Sequence, residues 1–148
     1  MNSMKQSGRI SLLALGSIVC VVLTIVLLLM SRETPAIAGT RFMVALESHD
    51  VDTLTKMSMM NGASEESIHK QWDFCVNTAE KYYRFIWHVT GASQANATTA
   101  SVKIQMVKDA DHPGSYEETM ELPMVKVGDD WKVDVRGLSR DFFNCLPR

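Results

Sequence analysis

The chain has 148 residues with 15 lysines and arginines against 17 aspartates and glutamates. All seventeen acidic residues and thirteen of the basic ones follow residue 30. That slightly acidic, scattered charge excludes the basic stripe of a nucleic-acid binder and gains little from anionic headgroups.

Met1–Arg9 is a short polar tail. Ile10–Met30, ISLLALGSIVCVVLTIVLLLM, then runs without a charge. At a helical rise of about 1.5 Å per residue it would span about 31 Å, the thickness of a bilayer's hydrocarbon core. The expectation is a transmembrane helix over 10–30 with the lipid bilayer as its partner. Lys5 and Arg9 precede the run and Arg32 follows it. The positive-inside rule therefore makes 1–9 a cytoplasmic tail and the remainder an extracytoplasmic domain of a single-pass cell-membrane protein. Ala36-Ile37-Ala38 before Gly39 also has the small-x-small pattern of a signal-peptide cleavage site. The apolar run exceeds a usual signal-peptide core of about 7–15 residues, and Arg32 and Glu33 separate it from the cut, which favours an uncleaved anchor.

Thr34-Pro35 has the form of an N-cap followed by the first helical position, and Ala38, Phe42, Ala45 and Leu46 then share one face. Asp50 caps a shorter helix with Val51, Leu54 and Met57 inward, ended by Asn61-Gly62. Ser64 starts a third helix with Glu65 and Glu66 in its first turn, and Ile68, Trp72, Cys75, Ala79 and Tyr83 form its stripe. From Arg84 the period becomes two, with Phe85, Trp87 and Val89 on one side. Ala100, Val102, Ile104 and Met106 mark a second strand, and Tyr116–Val127 a third in which Pro123 demands an edge or a bulge. Gly128-Asp129-Asp130 turns the chain into a fourth, Trp131–Val135. Residues 34–148 thus read as one α+β domain of three helices on a mostly antiparallel four-stranded sheet.

Two pieces carry a family resemblance. The opening FMVALESHDVDTLTKM and the late hairpin ELPMVKVGDDWKVDV resemble those of nuclear-transport-factor-2-like, or cystatin-like cone, domains over about Pro35 to Val135. The resemblance implies a cone-shaped domain with a curved sheet. That superfamily includes ketosteroid isomerase, scytalone dehydratase, small-ligand binders, membrane-anchored assembly components of type IV secretion machines, and many small bacterial domains without a known function. Fold alone does not choose among them.

Enzymes of this kind use a buried acid or base inside the cone. Strand parity here places Trp87, Ile104, Leu122 and Val133 on the core side, joined by Val102, Met106, Met120, Met124, Trp131 and Val135. Every inward strand position is apolar, and His88, Lys103, Glu121, Lys132, Asp134 and Arg136 fall outside. Asp73, the nearest helical acid, lies about 100° from Trp72 on the helical wheel. The pocket lining this implies is Phe42, Trp72, Trp87, Ile104, Met120, Leu122 and Trp131, with no catalytic residue. Met57, Met59 and Met60 have the softness Cu(I) prefers, but read as packing without a Cys or His among them. The histidines at 49, 69, 88 and 112 lack metal-ligand spacing, and no phosphate loop occurs, so no metal or cofactor is expected. Asn96-Ala97-Thr98 matches the glycosylation acceptor pattern. Cys75 and Cys145 are a disulfide pair in an oxidising compartment or else a buried and an exposed free thiol, and the sequence leaves both open. The function expected is a membrane-anchored binding module in the cell envelope. Its partner is an envelope protein, a second copy in a homodimer, or an apolar small ligand; the alternative is a small isomerase or hydro-lyase with a pocket acid or base.

Overall fold

Residues 16–24 are helical (α1) in the computed structural model, which describes residues 16–24, 33–79, 85–108, 116–143 and 145–146. The chain divides into two units, Met1–Arg32 and Glu33–Arg148. Among the described residues no helix is long and apolar enough to cross a membrane. The expectation of a spanning helix over 10–30 is therefore corrected. With it fall the bilayer as partner, the single-pass topology and the extracytoplasmic location derived from it. The tail 1–9 and residues 10–15 and 25–30 of the expected span lie outside the described residues.

The second unit begins with α2, Pro35–Glu47, where the Thr34 hydroxyl accepts the Ile37 N–H at 3.3 Å and Pro35 occupies the first turn. Ala38, Gly39, Phe42, Met43, Ala45 and Leu46 form its buried face. Gly39 lets the helix lie directly on the sheet, since a Cβ there would stand 3.0 Å from Val102 Cγ1. The helix ends in a Schellman pattern, with His49 N bonded to Leu46 O at 3.3 Å and Asp50 N to Ala45 O at 2.8 Å. His49 occupies the left-handed position at φ 56°, where glycine is the usual residue. Relief of its Cβ contact exceeds the extra unfolded-state entropy of glycine, so His49→Gly is expected to raise stability by about 0.5 kcal/mol. A higher urea midpoint at unchanged slope is the readout.

The next helix, α3, Val51–Met57, is capped by Asp50, which accepts the Thr53 hydroxyl at 2.7 Å and the Thr53 N–H at 3.0 Å. These bonds, the hydroxyl's foremost, hold the Asp50 carboxyl below the usual range. Its contribution to stability is thus complete above the ordinary aspartate value and fades as pH falls through the lowered one. The fourth helix, α4, Glu65–Asp73, starts on Ser64 and runs into a π-helical turn, Phe74–Thr78. Ile68, Trp72 and Cys75 are buried as their spacing predicts. The wider turn then brings Val76 inward and leaves Ala79 exposed, while Tyr83 lies outside the described residues.

Four strands form an antiparallel meander: β2 (Phe85–Gln94), β3 (Thr99–Lys108), β4 (Glu117–Val127) and β5 (Asp130–Asp134). A fifth, β1 (Ser58–Met59), follows α3 without a loop and adds parallel to β5, giving the order β1-β5-β4-β3-β2. Among the described residues the chain has four helices, α1 included, and a five-stranded sheet, which corrects the expected spanning helix followed by three helices on four strands. Two residues are too few to display a period, so β1 leaves no mark in the hydrophobic pattern. Pro123 lies in the inner strand β4 rather than on an edge, and pairing with β5 begins only at Met124. The outward face carries Ser101 bonded to Glu121 at 2.9 Å, Lys103 facing Glu121 at 4.0 Å, and Gln105 bonded to Glu117. The inward face, from Val102 to Val135, is buried and apolar.

Trp72 is the hub of the core. It is fully buried, with the Phe42 ring 5.6 Å away at 72° and the Phe143 ring 6.1 Å away at 86°. Its indole N–H donates to the buried Ser58 hydroxyl at 2.7 Å, which donates to Leu54 O at 2.7 Å. Ser58→Ala would leave the indole N–H without its acceptor. The expected cost is about 1–3 kcal/mol, measured by denaturant unfolding. A loss no larger than that of Ser101→Ala on the solvated face would contradict this role.

Candidate binding site

The short edge strand shapes a cleft of about 660 Å³. It opens where α3 hands over to β1. Asn61-Gly62 then reverses the chain, with Gly62 at φ 81° and Arg136 donating to Asn61 O at 2.7 Å. That tie holds Met59 and Met60 half-buried on the cleft wall. Opposite stands the β4–β5 hairpin, with Val127, Asp130, Trp131 and Lys132. Because β1 pairs only with Val133 and Asp134, the Trp131 N–H extends past it and is met by Glu33 Oε2 at 3.4 Å. Glu33 is itself paired with Arg41, another wall residue. A side chain thus completes the sheet edge where backbone pairing stops.

The lining has two chemistries. Met57, Met59, Met60, Ile68 and Trp131 supply an apolar surface, and the thioethers are flexible enough to fit varied shapes. Lys56 and Lys132 bring positive charge and Glu65 and Asp130 negative charge. Both carboxylates are exposed, so water competes for them. Such a set suits recognition of an apolar group flanked by charge.

The residues expected to line an interior pocket are placed differently. Phe42, Trp72, Ile104, Met120 and Leu122 are buried in the packed core between helices and sheet. Trp87 is half-buried at the core's margin, its Nε1 donating to Glu47 Oε2 at 2.9 Å. Trp131 alone of the seven lines the cleft. Asp73 is exposed and accepts from Asn77 at 2.8 Å. His69 faces Asp52 at 3.2 Å, and His112 lies outside the described residues. Among the described residues no three His, Cys, Asp or Glu gather into a metal-binding group. Cys75 and Cys145 are joined by a disulfide, their Cα atoms 5.3 Å apart. The cleft's Lys56, Met59 and Met60 were not among the expected site residues. The signal was present in three methionines beside a chain-reversing Asn-Gly, which packing alone also explains.

No family model matches the sequence, and no curated protein matches it. Solved structures do match in fold. One from Thiobacillus denitrificans is described as a calcium/calmodulin-dependent protein kinase type II association domain; it is 13% identical over 68% of this chain and 89% of that one, with a TM-score of 0.49. A domain of unknown function with a cystatin-like fold from Nostoc punctiforme is 12% identical over 74% and 80%, at 0.48. An NTF-2-like protein of unknown function from Shewanella oneidensis is 12% identical over 65% and 88%, at 0.43. Two of the three are described as NTF-2-like and cystatin-like, the fold names of the resemblance above, and at such identities the likeness concerns fold alone.

Proposed function

We propose that residues 33–148 form a binding module whose contact surface is the cleft beside β1, and that its ligand is a peptide or protein segment presenting an apolar side chain next to charged ones. The observation that carries this reading is the cleft's lining, which combines methionines and Trp131 with residues of both charges. The apolar inward face of the sheet supports it, because an interior built from Val102, Ile104, Met120 and Leu122 supplies no group to move a proton. Flexible thioethers are a common device for accepting apolar side chains of varied shape. An open cleft with a charged rim suits a segment better than a wholly apolar small molecule, which would be left half in water.

Methionine methyl groups make the test direct. The chain labelled at its methionine methyls is titrated with ten-residue peptides that alternate apolar and charged residues, and separately with decanoate. Met59 and Met60 are expected to shift with the peptides, while Met106 and Met120 in the core stay in place. Shifts confined to Met106 and Met120, or produced by decanoate alone, would move the site into the interior and overturn the reading.

A further inference from the structure

Beyond the end of β1, the backbone of β5 is turned towards the cleft. Lys126 stands opposite Trp131 in the β4–β5 pair, yet the Lys126 N–H donates to Thr98 O at 2.8 Å. That pair therefore exchanges no bonds, and the alternation of an antiparallel ladder points the Trp131 N–H and C=O away from β4. Two residues on, Val133 is turned the same way and meets β1. At Trp131 the N–H meets the Glu33 carboxylate instead, over 3.4 Å, longer than a usual N–H···O bond. The other oxygen of Glu33 holds Arg41. Asp130, Trp131 and Lys132 line the cleft along this stretch, and burial alternates through them, with Trp131 inward and its two neighbours outward.

From this arrangement we infer that the cleft takes its peptide as an extended strand, laid against Asp130–Lys132 in line with β1, with a peptide carbonyl accepting the Trp131 N–H. The inference rests on the cleft being a peptide site and adds how the peptide lies there and which residues it carries. Glu33 stays in place, since its carboxylate yields the long bond to Trp131 and keeps Arg41. The peptide residue opposite Trp131 shares its face and points to the apolar wall of Met57, Met60 and Ile68. The residues on either side point to the other face, beside Asp130 and Lys132. A basic residue complements Asp130 and an acidic one Lys132. The ligand therefore reads basic, apolar, acidic in the direction from Asp130 to Lys132. A helical ligand would instead space its apolar residues three and four apart and leave the edge N–H with Glu33.

The test uses the full chain, labelled at its amides and methionine methyls. The probe is a ten-residue peptide alternating leucine with lysine and glutamate. Two derivatives are N-methylated at alternate residues, one at odd positions and one at even. Successive N–H groups of a strand point to opposite edges, so a methyl blocks docking where it faces β5. One derivative is expected to bind about tenfold more weakly than the parent, and the other as well as the parent. The Trp131 amide is expected to shift downfield with the parent peptide and to exchange more slowly. Glu33→Ala is expected to bind the parent about threefold more tightly, because the Trp131 N–H loses its competing acceptor. Shifts at Met59 and Met60 without change at Trp131, equal affinities of the two derivatives, or unchanged affinity in Glu33→Ala would each overturn the strand and leave the cleft's role standing. No shift at Met59, Met60 or Trp131 would overturn both.

Discussion

Trp72→Ala is expected to lower the unfolding free energy by about 3–5 kcal/mol, a large share of the roughly 5–15 kcal/mol that a domain of this size possesses. The side chain is the largest of those fully buried, and it joins three parts of the chain distant in sequence. Phe42 brings α2, Ser58 brings the edge strand, and Phe143 brings the tail. Removing the indole leaves a cavity among elements that are already fixed against the sheet and collapse poorly onto it. The Ser58 hydroxyl keeps its bond to Leu54 O, so the loss is one of packing more than of polar pairing. Trp72→Phe is accordingly expected to cost less than Trp72→Ala. Urea unfolding of the two variants checks this, and a loss under about 1 kcal/mol for Trp72→Ala would remove Trp72 from the centre of the core.

The legible parts of the fold were those where many residues repeat one signal. In β3, the alternation from Ala100 to Met106 placed four residues inward, and all four are buried. Thr34, Asp50 and Ser64 each stand before a helix and accept a backbone N–H three residues on, because a short side-chain oxygen can reach that orphan donor. Failures came where a signal is short or depends on distant contacts. A two-residue strand such as β1 owes its existence to the partner edge offered by Val133 and Asp134. The π-helical turn breaks the period after Cys75, and a stripe extrapolated at helical spacing misses it at Ala79.

The apolar run at 10–30 teaches a separate lesson. Hydropathy records the tendency of each residue to leave water, but a span also requires unbroken helix of sufficient length. Residues 16–24 are helical, with the Thr24 hydroxyl bonded to Cys20 O at 2.8 Å, and among the described residues no helix is long and apolar enough to cross. The site was hidden for a different reason. Parity correctly sends Ile104, Met120 and Leu122 inward, but whether inward residues enclose a space or fill it depends on the bulk of what they meet. Trp72, Phe42 and Phe143 fill it here, and open volume lies instead where β1 ends early.

Loss of the Cys75–Cys145 bond is expected to cost about 4 kcal/mol, the chain-entropy value for a loop of 70 residues. The effect arises chiefly in the unfolded chain, where the crosslink removes conformations between the π-helical turn after α4 and the tail. It should therefore appear for Cys145→Ser, although serine is nearly isosteric and Cys145 is half-exposed. A surface thiol replaced by a hydroxyl would otherwise change stability by less than about 0.5 kcal/mol, so the two accounts predict results far apart. Wild-type protein kept reduced with dithiothreitol should unfold at the denaturant concentration of the variant, since both lack the same constraint. The double variant Cys75→Ser/Cys145→Ser should lose little beyond Cys145→Ser, because one bond cannot be broken twice. Additive losses would mean that the two sulfurs stabilise the fold separately. Mass spectrometry of alkylated, unreduced protein gives the matching chemical result, with neither Cys75 nor Cys145 modified.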